Sequence, residues 1–398
     1  MTPLIKIDEP RRAAAAPDAF ALWRLGFRPF YLLASVFASA SIALWALQVA
    51  GVLERPYLKG PLWHAHEMLF GFALAVVVGF LLTAGRNWSG RPTPTGGKLA
   101  ALAALWLAGR ILVLTPWGWA AALVNAAFPL AAAVALAIPF IAARSRRNYF
   151  FVGLLTLMSA ASLGFHLAQL GVIEGPGWLG IQIGLDVILF IMAVMAGRVV
   201  PMFTNNGVPG AQASRHPVVE RAALGSVLAV LAADAIGLAG APMAALLALA
   251  AAAHGARWWR WQPWTTRRTP IVWVLHAAYF WVVLHLALRA FAAAGLVAPT
   301  LATHALTVGA IGGLVAGMMT RTARGHTGRP LRADRFEVAC YLLVLGAAVV
   351  RVGLPLVAPS AALAAVLVSA AMWSAGFALY AVRYWPVLSR PRVDGLPG

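Results

Sequence analysis

The feature that most constrains this 398-residue chain is a series of apolar runs, each about 20 residues long, between residues 30 and 383. An α-helix of that length crosses the roughly 30 Å hydrocarbon core of a bilayer. Only 11% of the residues are charged, whereas soluble proteins have about a quarter. The sequence therefore predicts an all-α polytopic membrane protein without a soluble domain. Twelve runs are candidate transmembrane helices: 30–50, 63–84, 98–115, 118–143, 150–171, 180–203, 220–240, 242–262, 271–294, 299–320, 334–356 and 360–383.

The basic residues predict how the chain is oriented. If the N-terminus is cytoplasmic, 26 of the 31 Lys and Arg residues fall in cytoplasmic segments. The positive-inside rule then places both termini in the cytoplasm. Residues 1–27 and 386–398 become cytoplasmic tails that flank a transmembrane domain at 28–385. Because membrane topology explains the net charge of +19, we expect the lipid bilayer as a partner and no nucleic acid.

An internal repeat predicts the arrangement of the helices. The segment His66–Pro92 aligns without gaps with His304–Pro330, at an offset of 238 residues, and eight of the 27 positions are identical. This offset equals eight helices, whereas the 6+6 repeat of many transporters would give six. It favours three units of four helices, a pseudo-threefold 4+4+4 plan similar to that of the haem-copper oxidases. The similarity concerns architecture alone.

Ionisable residues within membrane helices are costly and are therefore candidates for function. His64 and His66 are two positions apart and point about 200° apart on a helix, so they favour two different cofactors. His64 and Glu67 share one face, which suits metal ligation or proton transfer. The alternative is a cluster at the membrane interface beside Trp63.

The other candidates fall into an outer and an inner group. The outer group also contains His166, Asp186, His285 and His304, and the inner group contains His276, His326 and Arg198. For His166 and His285 a packing role is favoured, and for His216 and His254 a loop or interface position. Three arginines near outer helix ends, Arg110, Arg289 and Arg351, suit either anionic groups such as haem propionates or lipid phosphate.

Seven motifs, spread in order over almost the whole chain, resemble those of the NnrS family. They are FRPFYLLA at 27–34, WHAHEMLFGF at 63–72, NWSGRP at 87–92, GRVVPMFTNNG at 197–207, LHAAYFW at 275–281, HALTVGAIG at 304–312 and GHTGRPL at 325–331. The resemblance implies a bacterial inner-membrane protein that contains haem and copper and takes part in nitric oxide metabolism. The family motifs place their histidines at His64, His66, His276, His304 and His326, together with Glu67, Arg198 and Asn205.

The residue types agree with that chemistry. The single cysteine, Cys340, excludes the C-x-x-C-H attachment of c-type haem, so haem, expected as b-type, must be held non-covalently by histidine. Imidazole also binds copper. We expect a protein that binds and detoxifies nitric oxide, with reduction to nitrous oxide as one route, an unidentified electron donor, and Glu67 as the proton donor. The rival functions are a proton-coupled secondary transporter with a buried His/Glu/Asp relay and a scaffold for other enzymes.

Two further expectations concern pairs and clusters. His66 and His304 open the two copies of the repeat at equal depth, which predicts that they are the two axial ligands of one haem between helices 2 and 10. His276, His326 and Arg198 lie at a similar depth at the opposite end and are expected to form one functional cluster.

Overall fold

The computed structural model describes residues 20–49, 52, 56–175 and 177–396. Within these residues the chain is helical with connecting loops and contains no strand. Residues 1–19 of the expected N-terminal tail, with Lys6, Arg11 and Arg12, lie outside the described part, as does Arg55. Counting each continuous helical stretch once, the helices are α1 (Phe27–Val49), α2 (Gly60–Ser89), α3 (Gly96–Leu112), α4 (Gly118–Ala142), α5 (Tyr149–Gln169), α6 (Leu179–Gly207), α7 (Pro217–Ala235), α8 (Gly240–Arg260), α9 (Pro270–Ala293), α10 (Pro299–His326), α11 (Arg335–Val357) and α12 (Ala362–Ser389).

Each of the twelve predicted runs is helical in the structure. Nine stretches of the described chain are both long and apolar enough to cross a membrane, and these correspond to all the helices except α3, α7 and α8. The α3 helix has only 17 residues, fewer than the roughly 20 that a bilayer requires. A polytopic, all-helical membrane protein is therefore confirmed, while twelve crossings and two cytoplasmic termini stay predictions.

Helices that follow one another in the chain pack side by side. They include α1–α2, α3–α4, α4–α5, α5–α6, α6–α7, α7–α8, α8–α9, α9–α10, α10–α11 and α11–α12. The last helix also packs on the first, and the indole N–H of Trp373 on α12 donates to the carbonyl of Ala38 on α1. The pairings follow the order of the chain, and the pseudo-threefold 4+4+4 plan stays a prediction.

The backbone repeats an unusual feature at the two aligned segments. In α2 a π-helical stretch, Glu67–Ala73, begins directly after His66, and in α10 a second one, Ala305–Gly312, begins directly after His304. A third lies at Val349–Gly353 in α11. Wide π-helical turns are rare and occur mostly at functional sites. The sequence repeat therefore coincides with a structural one, and both copies open on a histidine.

Candidate functional site

Two imidazoles meet between α2 and α5. We call the end of the bundle where α1 ends and α2 begins the outer end, and the opposite end the inner end. Close to the outer end, His66 and His166 are both fully buried, and their Nε2 atoms lie 3.1 Å apart. His166, for which a packing role was favoured, is therefore a partner of a motif histidine. We call these two residues the imidazole pair.

The other ring nitrogen of each imidazole is held by an oxygen. The Nδ1 of His66 donates to Glu67 Oε1 at 2.8 Å. The Nδ1 of His166 lies 3.2 Å from the hydroxyl of Tyr57, in the loop before α2. That hydroxyl also donates to the backbone carbonyl of His166 at 3.3 Å. Burial raises the pKa of Tyr57 to about 12, so the phenol keeps its proton at neutral pH.

These contacts fix the hydrogen of His66 and leave two arrangements for His166. Glu67 accepts the Nδ1 hydrogen of His66, so in the neutral ring Nε2 presents a lone pair. When Tyr57 donates its proton to His166 Nδ1, 3.2 Å away, the Nε2 hydrogen of His166 donates to His66 Nε2. When Tyr57 donates its proton to the backbone carbonyl of His166 instead, it accepts the Nδ1 hydrogen of that residue. The two Nε2 lone pairs then face each other at 3.1 Å. This arrangement repels unless a proton or a metal ion lies between them, and histidines that bind metals are held through the opposite ring nitrogen in just this way.

A buried arginine completes the charge balance of the imidazole pair. The guanidinium of Arg110 on α3 is 6% exposed and lies 3.3 Å from Glu67 Oε1. It also contacts the side-chain oxygen of Asn125, which α4 anchors by a bond to the Ala121 carbonyl. Arg110 therefore points into the protein rather than towards lipid phosphate. Gly71 leaves the space for it, because a Cβ there would collide with the guanidinium.

His304 lies in a different environment from His66. Its Nδ1 donates to the carbonyl of Thr300 at 2.6 Å, and its Nε2 accepts from Arg351 on α11 at 3.3 Å. Both ring nitrogens of His66 have other partners, Glu67 and His166, because helix packing brings α5 to the face of α2 that carries His66. The pairing of His66 with His304 on one haem stays a prediction.

His64 has different neighbours from His66. It lies within electrostatic range of His304 and Arg351, and its ring stacks on Trp45 of α1 at a centroid distance of 4.7 Å. Its Nδ1 is buried and has no hydrogen-bond partner. His64 and His66 therefore face different helices, α1 and α5, as their two-residue spacing predicts, and their use by two different cofactors stays a prediction.

An acidic pair occupies the outer end of α6 and α7. Arg289 of α9 contacts Asp186 at 3.4 Å and Asp234 at 2.5 Å, and Gln182 donates to Asp186 at 3.1 Å. The Oδ2 of Asp186 is buried without a partner. Arg289 is thus a second outer arginine that points into the protein, and it neutralises one of two carboxylates.

The three residues of the predicted inner cluster have separate partners. Arg198 donates to Asn148 at 3.0 Å and lies over the rings of Trp88, Phe150 and Phe151. The ring of His326 packs on Phe27, and His276 contacts Thr204 at 2.8 Å. Three different helix interfaces therefore hold these side chains, and a shared function of the three residues stays a prediction.

His276 forms part of a cavity wall at the inner end. A cavity of about 370 Å³ lies between the end of α8 and the start of α9, lined by Trp258, Pro263, Thr266, Arg267, Trp273, His276 and Ala277. His276 is 2% exposed, and its Nδ1 has no protein partner. Asn205, from another motif, instead clamps the loop after α6 by two hydrogen bonds to the backbone of Ala213.

Sequence reasoning missed a buried ion pair between α7 and α8. Arg257 near the inner end of α8 is 1% exposed and binds Glu220 of α7 at 2.6 and 2.9 Å. It also donates to the Tyr279 hydroxyl at 2.9 Å, and that hydroxyl lies 2.7 Å from His254. His254, expected in a loop or interface, is fully buried within α8. Gly197 is the sequence signal, since only a residue without Cβ leaves room for the Arg257 guanidinium.

The described part of the chain contains no group of three or more His, Cys, Asp or Glu residues that could hold a metal ion. The imidazole pair brings together two ring nitrogens, fewer than such a group would have.

The comparisons with known proteins assign the family. The model of the NnrS protein family matches residues 21–392, nearly the whole chain, so this protein belongs to the NnrS family. A search of curated proteins finds no match.

Proposed function

We propose that this NnrS family member is a haem- and copper-containing protein of the bacterial inner membrane that binds nitric oxide and reduces it to nitrous oxide. The observation that carries the proposal is the imidazole pair, two buried Nε2 atoms 3.1 Å apart whose opposite nitrogens contact Glu67 and Tyr57. This assigns an oxidoreductase activity to the chain.

The imidazole pair suits copper better than haem. Two nitrogens on opposite sides of one metal ion lie about 4 Å apart, twice the usual bond of roughly 2.0–2.1 Å. The observed 3.1 Å therefore suits neighbouring positions around a single small ion. Imidazole is a preferred ligand of copper, and the carboxylate of Glu67 would offset the charge of the ion and strengthen His66 as a donor.

The surroundings of the imidazole pair suit a small, uncharged gas. The rings of Phe70 and Phe165 lie 5.1 and 5.3 Å from His66, and both side chains are buried. Nitric oxide dissolves in hydrocarbon, so it can reach such a site without a polar channel. Bound copper and haem would supply the electron transfer, while the aromatic rings exclude water.

Glu67 is the proton donor of the proposal. Reduction of two molecules of nitric oxide to nitrous oxide and water consumes two electrons and two protons. The Oε1 of Glu67 contacts His66 and Arg110, and its Oε2 is buried without a partner. A carboxylate that Arg110 orients, with one oxygen free, can receive a proton and release it beside the imidazole pair.

The remaining motif histidines are proposed for haem. His64 and His304 lie within electrostatic range of each other, and the Arg351 guanidinium beside them suits a haem propionate. His276, His326 and Arg198 stay candidates for binding a cofactor at the inner end. Among them, His276 has a free ring nitrogen at a cavity.

The test is the absorption spectrum and metal content of the detergent-purified protein, together with its consumption of nitric oxide. We expect a Soret band and copper. His66→Ala and His166→Ala should each remove copper and abolish consumption while the Soret band persists. His216→Ala, which changes an exposed histidine, is the matched control. Copper content unchanged in both imidazole variants would refute the copper assignment.

A proton-coupled transporter is the second candidate, and the outer acidic pair favours it. Asp186 and Asp234 share the single guanidinium of Arg289, so one buried carboxylate lacks a counter-charge, as in proton relays of transporters. A colourless, metal-free protein that moves protons in liposomes, with loss of transport in Asp186→Asn, would establish this function instead.

A further inference from the structure

The cavity at the inner end has two aromatic walls, and its polar lining residues are Thr266, Arg267 and His276. Trp258 comes from the last turn of α8, Trp273 comes from the first turn of α9, and Ala277 lies one turn further along α9. The indole N–H of Trp258 donates to the backbone carbonyl of His276 at 2.9 Å, which fixes the position of that wall. A volume of about 370 Å³ is near the lower end for ligand sites and suits a headgroup of one or two rings.

The hydrogen bonds behind His276 leave Nδ1 as its free nitrogen. The Thr204 hydroxyl has one hydrogen and lies 2.8 Å from both the carbonyl of Val200 and the Nε2 of His276. When it donates to Val200, it accepts the Nε2 hydrogen of His276. In a neutral imidazole the other nitrogen, Nδ1, then presents a lone pair. A ligand that completes this site needs a hydroxyl or amide hydrogen beside a flat apolar ring.

The position of the cavity favours a ligand that arrives from the bilayer. It lies where α9 begins, at the inner end, beneath the loop that carries Arg267. Next to it Phe280, whose ring packs on Trp258 at 4.9 Å, is 37% exposed on the outer surface of the helix bundle. Tryptophan rings stack well on planar rings, and they are common at the level of lipid headgroups.

We propose that this cavity binds a membrane quinol, whose ring lies between the tryptophans and whose hydroxyl donates to His276 Nδ1. The inference rests on the proposed function and identifies the electron donor for it. One quinol and two molecules of nitric oxide give one quinone, one nitrous oxide and one water. The quinol loses two electrons and two protons, one N–O bond breaks and one N–N bond forms. Two O–H bonds of water form, and no other reductant is required.

The experiment titrates the purified, cofactor-loaded protein with duroquinol and duroquinone and follows the quenching of tryptophan fluorescence. We expect saturable binding of both. His276→Ala should weaken duroquinol binding about tenfold, the effect of losing one hydrogen bond of roughly 1.4 kcal/mol. Ala277→Phe should abolish binding of both by filling the cavity. Trp259→Ala, which changes an exposed tryptophan on the same helix, should leave the affinity unchanged.

The Soret band separates this inference from the proposed function. An unchanged Soret band and copper content in His276→Ala, with weaker quinol binding, supports the quinol site. Loss of the Soret band in His276→Ala would identify His276 as a haem ligand and overturn the inference. Quinol binding that neither His276→Ala nor Ala277→Phe reduces would also overturn it. Because binding is measured without turnover, failure to consume nitric oxide would count against the proposed function alone.

Discussion

The buried ion pair between Arg257 and Glu220 makes a sharp prediction about stability, because two arginines contact the same carboxylate. Arg257 is 1% exposed and binds Glu220 through two hydrogen bonds. Arg215 is 49% exposed and lies 3.4 Å from the same Oε2 atom. Glu220→Gln removes the charge that balances the buried guanidinium, whereas Arg215→Gln removes only the exposed partner.

The expected magnitudes differ widely. Breaking a buried ion pair from one side costs about 3–5 kcal/mol, because the remaining charge stays buried. Glu220→Gln should therefore lower the ratio of folded to unfolded protein by about a hundredfold to several-thousandfold. An exposed pair contributes about 0–1 kcal/mol, so Arg215→Gln should be nearly neutral. The double variant Glu220→Leu with Arg257→Met should recover most of the loss, since it leaves no charge unpaired.

The chain offers its own probe of unfolding. Cys340 is the single cysteine, and it is 4% exposed, so a fluorogenic thiol reagent reacts with it only after the bundle opens. Unfolding in mixed micelles with increasing denaturing detergent would be followed by this reaction. Equal midpoints for Glu220→Gln and Arg215→Gln would refute the reasoning, as would a double variant that is less stable than Glu220→Gln.

Three further predictions follow from other contacts. In Gly71→Ala the new Cβ would collide with the Arg110 guanidinium and would also lie 2.9 Å from Phe37. The guanidinium should therefore move away from Glu67, and copper binding should weaken in a competitive chelator titration. Gly153→Ala, where the space for a Cβ is open, should leave copper binding unchanged. Equal copper affinities of the two variants would contradict the role of Arg110. Arg198→Ala should destabilise the protein by removing its contacts with Asn148 and three aromatic rings, and an unchanged unfolding midpoint would contradict this packing role. Loss of haem in the same variant would identify Arg198 as a cofactor residue as well. Asp334 caps α11 in a reciprocal capping box with Glu337, and hydrogen bonds to Glu337, Arg383 and the backbone lower the pKa of Asp334. Because the folded pKa is the lower one, this stabilisation is present at neutral pH and declines below about pH 4. Asp334→Ala should cost about 1 kcal/mol at pH 7 and less in acid, and a cost that rises on acidification would contradict the cap.

The length and spacing of the apolar runs determined where the helices lie. In hydrocarbon every backbone N–H and C=O must be paired within the chain, so an apolar run of about 20 residues has hardly any alternative to a helix. The repeat of His66–Pro92 at His304–Pro330 could also be found without a structure, because it is a match between two segments of the sequence. The structure then adds matching π-helical stretches. Local pattern was sufficient for these features because each depends on neighbouring residues only.

Tertiary packing alone decided which side chains meet. His66 and His166 are 100 residues apart, and nothing in either segment indicates that α5 packs beside that face of α2. From the sequence, Arg257 follows an apolar run and fits an exposed cytoplasmic helix end as well as a buried position. In the structure Gly197 leaves the space and Glu220 supplies the charge that hold its side chain inside the protein. The sequence fixes the type and depth of each ionisable group, because both follow from its position along one helix. Its partner depends on which helices are neighbours, and that is a property of the whole bundle.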